Sequence, residues 1–267
     1  MRRPSLDHFS RRISNIFLTC LFVVSISSCN TDSSTELQLS NLKPLVNRVS
    51  RPTKILFLGN SFTYFNDGVD RHLHRLVSAA FPTQEFVFDS LTVPNRTVKG
   101  HYQDVTTTEA LSSERWDLVV IQGASHEPAR TESIPEFNEY TTRLAERIRE
   151  EGAEVALFMT WAYRFDREML LTLASTYVET GNRISALVVP VGMAWEKIRQ
   201  QQSGGFLFSD TRHPSLPGTY LAACVFFAAI FSESPEGSAY TGGLPPDQAR
   251  FLQEIAWQTT RTFYSDS

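Results

Sequence analysis

Five short strand-like runs recur along this chain, separated by stretches with helical spacing. That alternation constrains the fold more than any other feature. The runs are residues 55–58, 86–91, 118–121, 155–158 and 186–191. The third, Leu118-Val119-Val120-Ile121, has no polar member, as expected of a strand covered on both faces in a parallel sheet. Between the runs, residues 67–80 place Val69, Leu73, Leu76, Val77 and Ala80 on one helical face. Ser133-Ile134-Pro135-Glu136 reads as a capping box with an early proline, opening a helix that turns Phe137, Tyr140, Leu144 and Ile148 inward. A further helix is expected around 167–180, and an amphipathic one over 247–263 closes the chain. Residues 216–231 are apolar nearly all round, which predicts a helix packed on several sides and too short to span a membrane. The β-α-β-α order predicts an α/β fold, a three-layer α/β/α sandwich on a central parallel sheet of about five strands. Ligands of such sheets bind beyond the carboxyl ends of the strands.

Two motifs carry chemistry. Gly59-Asn60-Ser61-Phe62-Thr63 follows the first apolar run, so Ser61 falls on the ligand side of the sheet. Far along the chain stands Asp210-Thr211-Arg212-His213-Pro214. A serine hydroxyl is a poor nucleophile until a base takes its proton, and the base must be held by a third group. Ser61, His213 and Asp210 fit those roles as nucleophile, general base and orienting carboxylate. Alone, Ser61 would read as a helix cap, and the Asp/His pair as a capped helix start. Together they point to catalysis. Thr63 stands where a Gly-x-Ser-x-Gly elbow would end in glycine, and the order Ser, Asp, His with the last two nearly adjacent also argues against that elbow.

These two blocks resemble the first and fifth blocks of the SGNH (GDSL-type) hydrolase superfamily, whose members cleave esters of lipids, sugars and small acyl groups. Asn60 replaces the usual aspartate of Gly-Asp-Ser, a variation that resembles a less-studied branch of the superfamily, whereas Asp-x-x-His-Pro matches fully. The likeness covers roughly residues 53 to 264, carried by about ten positions. It implies a flavodoxin-like strand order. It also implies an oxyanion hole built from the serine N–H, a glycine N–H from a second block and an asparagine side chain from a third. Gly100, after the second run, is the best glycine, with a plain turn as its other reading. The third block departs from the family's Gly-x-Asn-Asp: Gln122-Gly123-Ala124-Ser125-His126-Glu127-Pro128 stands in its place. Position counting favours Ser125 or His126 as donor, and amide chemistry favours Gln122.

The start of the chain reads as an export leader. Arg2, Arg3, Arg11 and Arg12 precede an apolar stretch over 13–26 that ends in Ile26-Ser27-Ser28-Cys29. This resembles a bacterial lipobox, which makes Cys29 the expected lipidation site. An ordinary signal peptide with a chance cysteine is the other reading. Asn30 rather than aspartate follows, so no inner-membrane retention signal is expected. The expected organisation is a leader over 1–28, a flexible tether over 29–52 and a hydrolase-like domain over 53–267, at the cell envelope of a bacterium, in its outer membrane or at its surface. Cys224, in an apolar segment, is expected to be an inert buried thiol, and no disulfide is expected.

A net charge of −4 without a basic run gives no footprint for nucleic acid. His72 and His74 are two apart on a helix and point to different faces. No His-Glu-x-x-His run exists, and neither metal nor cofactor is expected. Trp161, Tyr163 and Trp195 are candidates for stacking on a sugar or for packing the core. The expected function is an exported, lipid-anchored serine esterase acting on a small-molecule or carbohydrate ester, with small acyl groups on a carbohydrate as the first substrate class. A non-catalytic, glycan-binding surface lipoprotein on a retired hydrolase fold is the rival, favoured by the altered third block and opposed by the complete Ser61, Asp210 and His213 set.

Overall fold

A computed structural model describes residues 30–201 and 204–265. The strand-like runs form β1 (Lys54–Gly59), β2 (Val87–Thr92), β3 (Leu118–Ile121), β4 (Glu154–Phe158) and β5 (Leu187–Val189). They make one five-stranded sheet in the order β2-β1-β3-β4-β5, every neighbouring pair parallel. This is the flavodoxin-like order. Side chains alternate between the faces, as a strand requires. Ile55, Phe57, Val120, Phe158 and Val189 join one apolar cluster, whereas Leu56, Leu58, Val119, Ile121, Leu157 and Val188 join the other.

The first face is covered by α3 (Val69–Ala80), α8 (Val191–Gln201), α9 (Leu216–Phe231) and α10 (Pro246–Phe263). In α9 every residue from Gly218 to Phe231 is buried, because α3 and α10 flank it while it lies on the sheet. Cys224 lies within it as a free, buried thiol, and burial pushes its pKa up. The second face carries α6 (Ile134–Glu150) and α7 (Met169–Ile184), with α4 (Val98–Gln103) and α5 (Val105–Ser112) contributing Val98 and Leu111. No helix among the described residues is long and apolar enough to cross a membrane.

Three expectations change. Residues 29–52 were expected to form a flexible tether, but α1 (Asn30–Ser40) begins this segment and Leu39 is buried against the second face. Beyond it, the Leu45 N–H donates to Asn182 Oδ1 at 2.7 Å and the Ser50 N–H to Glu154 Oε2 at 2.8 Å, so side chains of the domain take up this backbone. Ser133 does precede α6, but its hydroxyl makes no cap bond and instead lies 3.1 Å from the carbonyl oxygens of both His126 and Glu127. The last strand is shorter than expected: Pro190, lacking an N–H to extend the ladder, ends it, and α8 begins at once. Cys29 and the expected leader over 1–28 lie outside the described residues.

Candidate active site

β1 delivers Ser61 to the carboxyl edge of the sheet. The chain turns at Asn60, whose side-chain oxygen accepts the Phe62 N–H at 3.2 Å, and a four-residue helix α2 (Ser61–Tyr64) begins. The Ser61 N–H thus stands in the first turn of a helix, where N–H groups have no acceptor within the helix.

The second motif arrives from the other end of the domain. An antiparallel bridge between Phe208 and Pro214 closes the base of a loop, and the Ser209 N–H donates to the His213 carbonyl at 3.0 Å. Within it, Asp210 Oδ1 accepts the N–H groups of Arg212 and His213, both at 2.7 Å. Asp210 Oδ2 accepts the His213 Nδ1–H at 2.7 Å. That leaves Nε2 to accept the Ser61 hydroxyl hydrogen, at 3.0 Å. Ser61, His213 and Asp210 therefore form one continuous hydrogen-bonded relay across 152 positions of sequence.

Burial alone would raise the Asp210 carboxyl, but the Arg212 N–H and the His213 ring and N–H outweigh it and hold the carboxyl at about 2. It is ionised at any ordinary assay pH and faces an imidazole it can orient and stabilise when protonated.

Two aromatic contacts fix the ring of His213. Phe65 lies parallel to it, with centroids 4.4 Å apart and planes 3° from parallel, and Phe62 meets it edge-on at 5.8 Å. Beneath, Phe62, Trp161 and Trp195 stack in a column with spacings of 4.6 and 3.9 Å. Trp161 Nε1–H donates to the Arg212 carbonyl at 2.9 Å, tying the column to the histidine loop. Asn66, in the left-handed region at φ 53°, donates from its amide to the Pro214 carbonyl and to Thr219 Oγ1, both at 2.9 Å. Nothing in the sequence marked Phe65 or Asn66, since both act on a loop about 150 residues away.

The oxyanion candidates do not converge as expected. Gly100 sits inside α4, where its N–H is taken by the capping hydroxyl of Thr97 at 3.0 Å; it is a helix residue and not an oxyanion donor. Both hydrogens of the Gln122 amide are also taken, by Asn60 Oδ1 at 2.7 Å and by the Gly123 carbonyl at 2.9 Å, so this side chain has none left for an oxyanion. Ser125 Oγ lies 2.7 Å from the hydroxyl of Tyr163. His126 is half-buried, and burial first, then the nearby charges of Arg130 and Arg212, hold its pKa below the usual histidine value.

Glu127 closes the same loop. It is buried and accepts the Ala124 N–H at 2.6 Å and the Val98 N–H at 3.1 Å, strapping the segment after β3 to the start of α4. Burial lifts its carboxyl to about 7 against the pull of those two N–H groups. His101, also buried, has its pKa lowered to about 4 by burial, so it is neutral near pH 7, and its Nε2 lies 3.0 Å from the Gly59 carbonyl.

Trp161 and Trp195 are buried in the core and not offered to solvent. Phe165 is an exposed aromatic, 81% accessible, on a loop whose Arg164 N–H donates to the Thr211 carbonyl at 2.9 Å. Among the described residues no three His, Cys, Asp or Glu side chains gather where a metal ion could be held.

A parallel α/β sheet carrying a Ser-His-Asp relay at its carboxyl edge is the architecture of a class of ester hydrolases, and solved structures agree on the fold. A DUF4886 family protein from Bacteroides uniformis is similar over 82% of this chain and 96% of its own, with a TM-score of 0.67 at 20% identity. A protein from Slackia heliotrinireducens, provisionally described as an SGNH hydrolase, matches over 66% of this chain and 98% of its own, with a TM-score of 0.57 at 25% identity. Axe2, an acetylxylan esterase from Geobacillus stearothermophilus, matches over 69% and 94%, with a TM-score of 0.55 at 16% identity. No family sequence model matches the chain, and no curated protein matches it by sequence. The chain has the fold of the SGNH-type hydrolases among these structures.

Proposed function

We propose that this protein is a serine esterase that works through an acyl-Ser61 intermediate. The observation that carries this reading is the unbroken relay from Ser61 Oγ through both nitrogens of His213 to Asp210. Ser61 Oγ attacks the ester carbonyl carbon as its proton passes to His213 Nε2. The tetrahedral adduct collapses, the bond to the leaving alcohol breaks, and the departing oxygen takes that proton. Water then attacks the acyl carbon, gives a proton to Nε2, and Ser61 leaves and recovers it. Asp210 holds the imidazole in the tautomer that keeps Nε2 free and stabilises its cation in both halves. For the oxyanion we place one donor at the Ser61 N–H and another in the Ser125–His126 segment.

The substrate class we propose is a small acyl ester on a carbohydrate. Its support is an acetylxylan esterase among the proteins of like fold, and an exposed Phe165 on the loop beside the histidine motif, where an aromatic face suits a sugar ring. We further propose an exported protein anchored through Cys29, supported by the arginine-rich start and the Ile26-Ser27-Ser28-Cys29 run. The rival non-catalytic binder would have no use for a relay kept in hydrogen-bond register.

A fluorophosphonate probe tests the activity: wild-type protein should be labelled on Ser61 and hydrolyse p-nitrophenyl acetate, and Ser61→Ala should do neither. Equal labelling of the two would overturn the nucleophile. Mass spectrometry of the mature N-terminus tests the anchor, since an unmodified start at any residue other than Cys29 would refute it.

A further inference from the structure

Gln122 was a candidate donor, and its surroundings give it another task. It follows β3 directly, and its N–H donates to the Leu58 carbonyl at 2.9 Å, which sets it level with the turn that ends β1. The side chain is 1% exposed. Its Oε1 accepts the Asn60 N–H at 3.1 Å and the Thr63 hydroxyl at 2.8 Å. Its Nε2 donates to Asn60 Oδ1 at 2.7 Å and to the Gly123 carbonyl at 2.9 Å. Two acceptor sites and two hydrogens are all an amide has, and all four are used. The contacts bracket Ser61, with one residue before it bonded twice and one residue two places after it bonded once. Gly59 makes room for this: a Cβ there would stand 2.4 Å from Thr63 Oγ1 and 2.8 Å from Gln122 Oε1.

The same contacts explain Asn60, the residue that departs from Gly-Asp-Ser. Its Oδ1 accepts from Gln122 and from the Phe62 N–H, while its Nδ2 points at the carbonyl oxygens of Arg96 at 3.2 Å and Gly123 at 3.4 Å. An aspartate would set a carboxylate oxygen against those carbonyls with no hydrogen to offer.

We infer that Gln122 is the positioning residue of the nucleophile turn, paired amide to amide with Asn60, and that it holds Ser61 Oγ in line with His213. Resting on the esterase reading, this assigns Gln122 an effect on the rate of attack by Ser61 and not on substrate binding. A buried, fully bonded pair of this kind has no slack, and a nucleophile misplaced by about 1 Å loses on the order of a hundred-fold in rate.

The test measures the rate of Ser61 phosphonylation by a fluorophosphonate between pH 5 and 9, with kcat and KM for p-nitrophenyl acetate, in wild type, Gln122→Ala, Gln122→Glu and Asn60→Asp. Gln122→Ala should slow labelling and kcat about ten- to a hundred-fold with KM little changed. Gln122→Glu is the discriminating variant. Protonated, its carboxyl reproduces one donor and the acceptor of the amide; ionised, it sets a negative oxygen against Asn60 Oδ1. Its labelling should approach the wild-type rate at the acid end and fall further behind as pH rises, and Asn60→Asp should show the same trend. A structural filler would not produce that pH-dependent ratio. Labelling of folded Gln122→Ala at the wild-type rate, or a Gln122→Glu ratio that is flat with pH, overturns the inference while leaving the esterase reading intact. Should Gln122→Ala not fold, the Gln122→Glu and Asn60→Asp ratios decide alone. Absence of labelling in wild type overturns the esterase reading and this inference with it.

Discussion

The ring of Phe65 lies flat against the imidazole of His213, 4.4 Å between centroids and 3° from parallel, although the two residues are 148 positions apart. The contact spans the two motifs: Phe65 follows the helix begun by Ser61, and His213 ends the Asp-x-x-His block. A stacked pair of rings contributes about 0.5 to 1.5 kcal/mol beyond the area it buries. Phe65→Ala should therefore lower kcat by up to about tenfold, by loosening the imidazole, and change KM less. Unchanged kcat in a folded variant would show that the ring merely covers the histidine.

The relay itself sets larger effects. His213→Ala should cost about a thousand-fold or more in kcat, because removing a base disables the nucleophile with it. Asp210→Asn should lose somewhat less, and its defect should ease as pH rises, when stabilising an imidazolium matters less. With the Asp210 carboxyl at about 2, the wild-type enzyme should show no loss traceable to this group between pH 5 and 9. Steady-state kinetics across that range check both statements, and wild-type rates in Asp210→Asn would reduce the pair to a structural contact.

Trp161 joins the core to the site. Its Nε1–H is the donor to the Arg212 carbonyl, next to His213. Trp161→Phe keeps an aromatic ring between Phe62 and Trp195 but leaves that part-buried carbonyl without its donor, at a cost of about 1 to 3 kcal/mol. Calorimetry should show a Tm lower by several degrees, accompanied by slower Ser61 labelling. A lower Tm with unchanged labelling would separate the column from the site.

Glu127 gives a pH signature in stability. Its folded pKa of about 7 lies above the ordinary 4.5 because burial disfavours the charge, with Glu136 adding to the rise and the Ala124 and Val98 N–H groups opposing it. Between those two values the folded state holds a proton that the unfolded state releases, so this group's contribution falls as pH rises from about 4.5 to about 7 and is level above. Glu127→Gln carries no titrating proton. The variant should gain on wild type across that window by an amount on the order of 1 to 3 kcal/mol. Denaturant melts at pH 4, 6 and 8 measure the gap, and one that does not widen from the first to the last would refute the raised value.

The strands, the large helices and the three relay residues were legible in the chain because each rests on a local rule. A run such as Leu118-Val119-Val120-Ile121 is apolar throughout because a central parallel strand is covered on both faces, and all four residues are buried. Asp210 and His213 are three apart, close enough for a turn to join carboxylate and imidazole. The oxyanion assignments were less legible, because the type of a residue does not say whether its hydrogens are already taken. Gly100 looked like a glycine N–H donor and is a helix residue whose N–H Thr97 caps; Gln122 looked like a free amide and is bonded at every polar position. The segment before β1 read as a tether on its polarity, yet Leu39 packs on the second face and domain side chains accept the backbone N–H groups of Leu45 and Ser50. Burial and backbone periodicity are written into neighbouring residues, so the chain by itself determined the sheet, its covering helices and the chemistry on offer. Which ring backs His213 and what holds Ser61 are settled between positions far apart in sequence, such as Phe65 with His213 and Asn60 with Gln122, where only the folded chain brings the partners into contact.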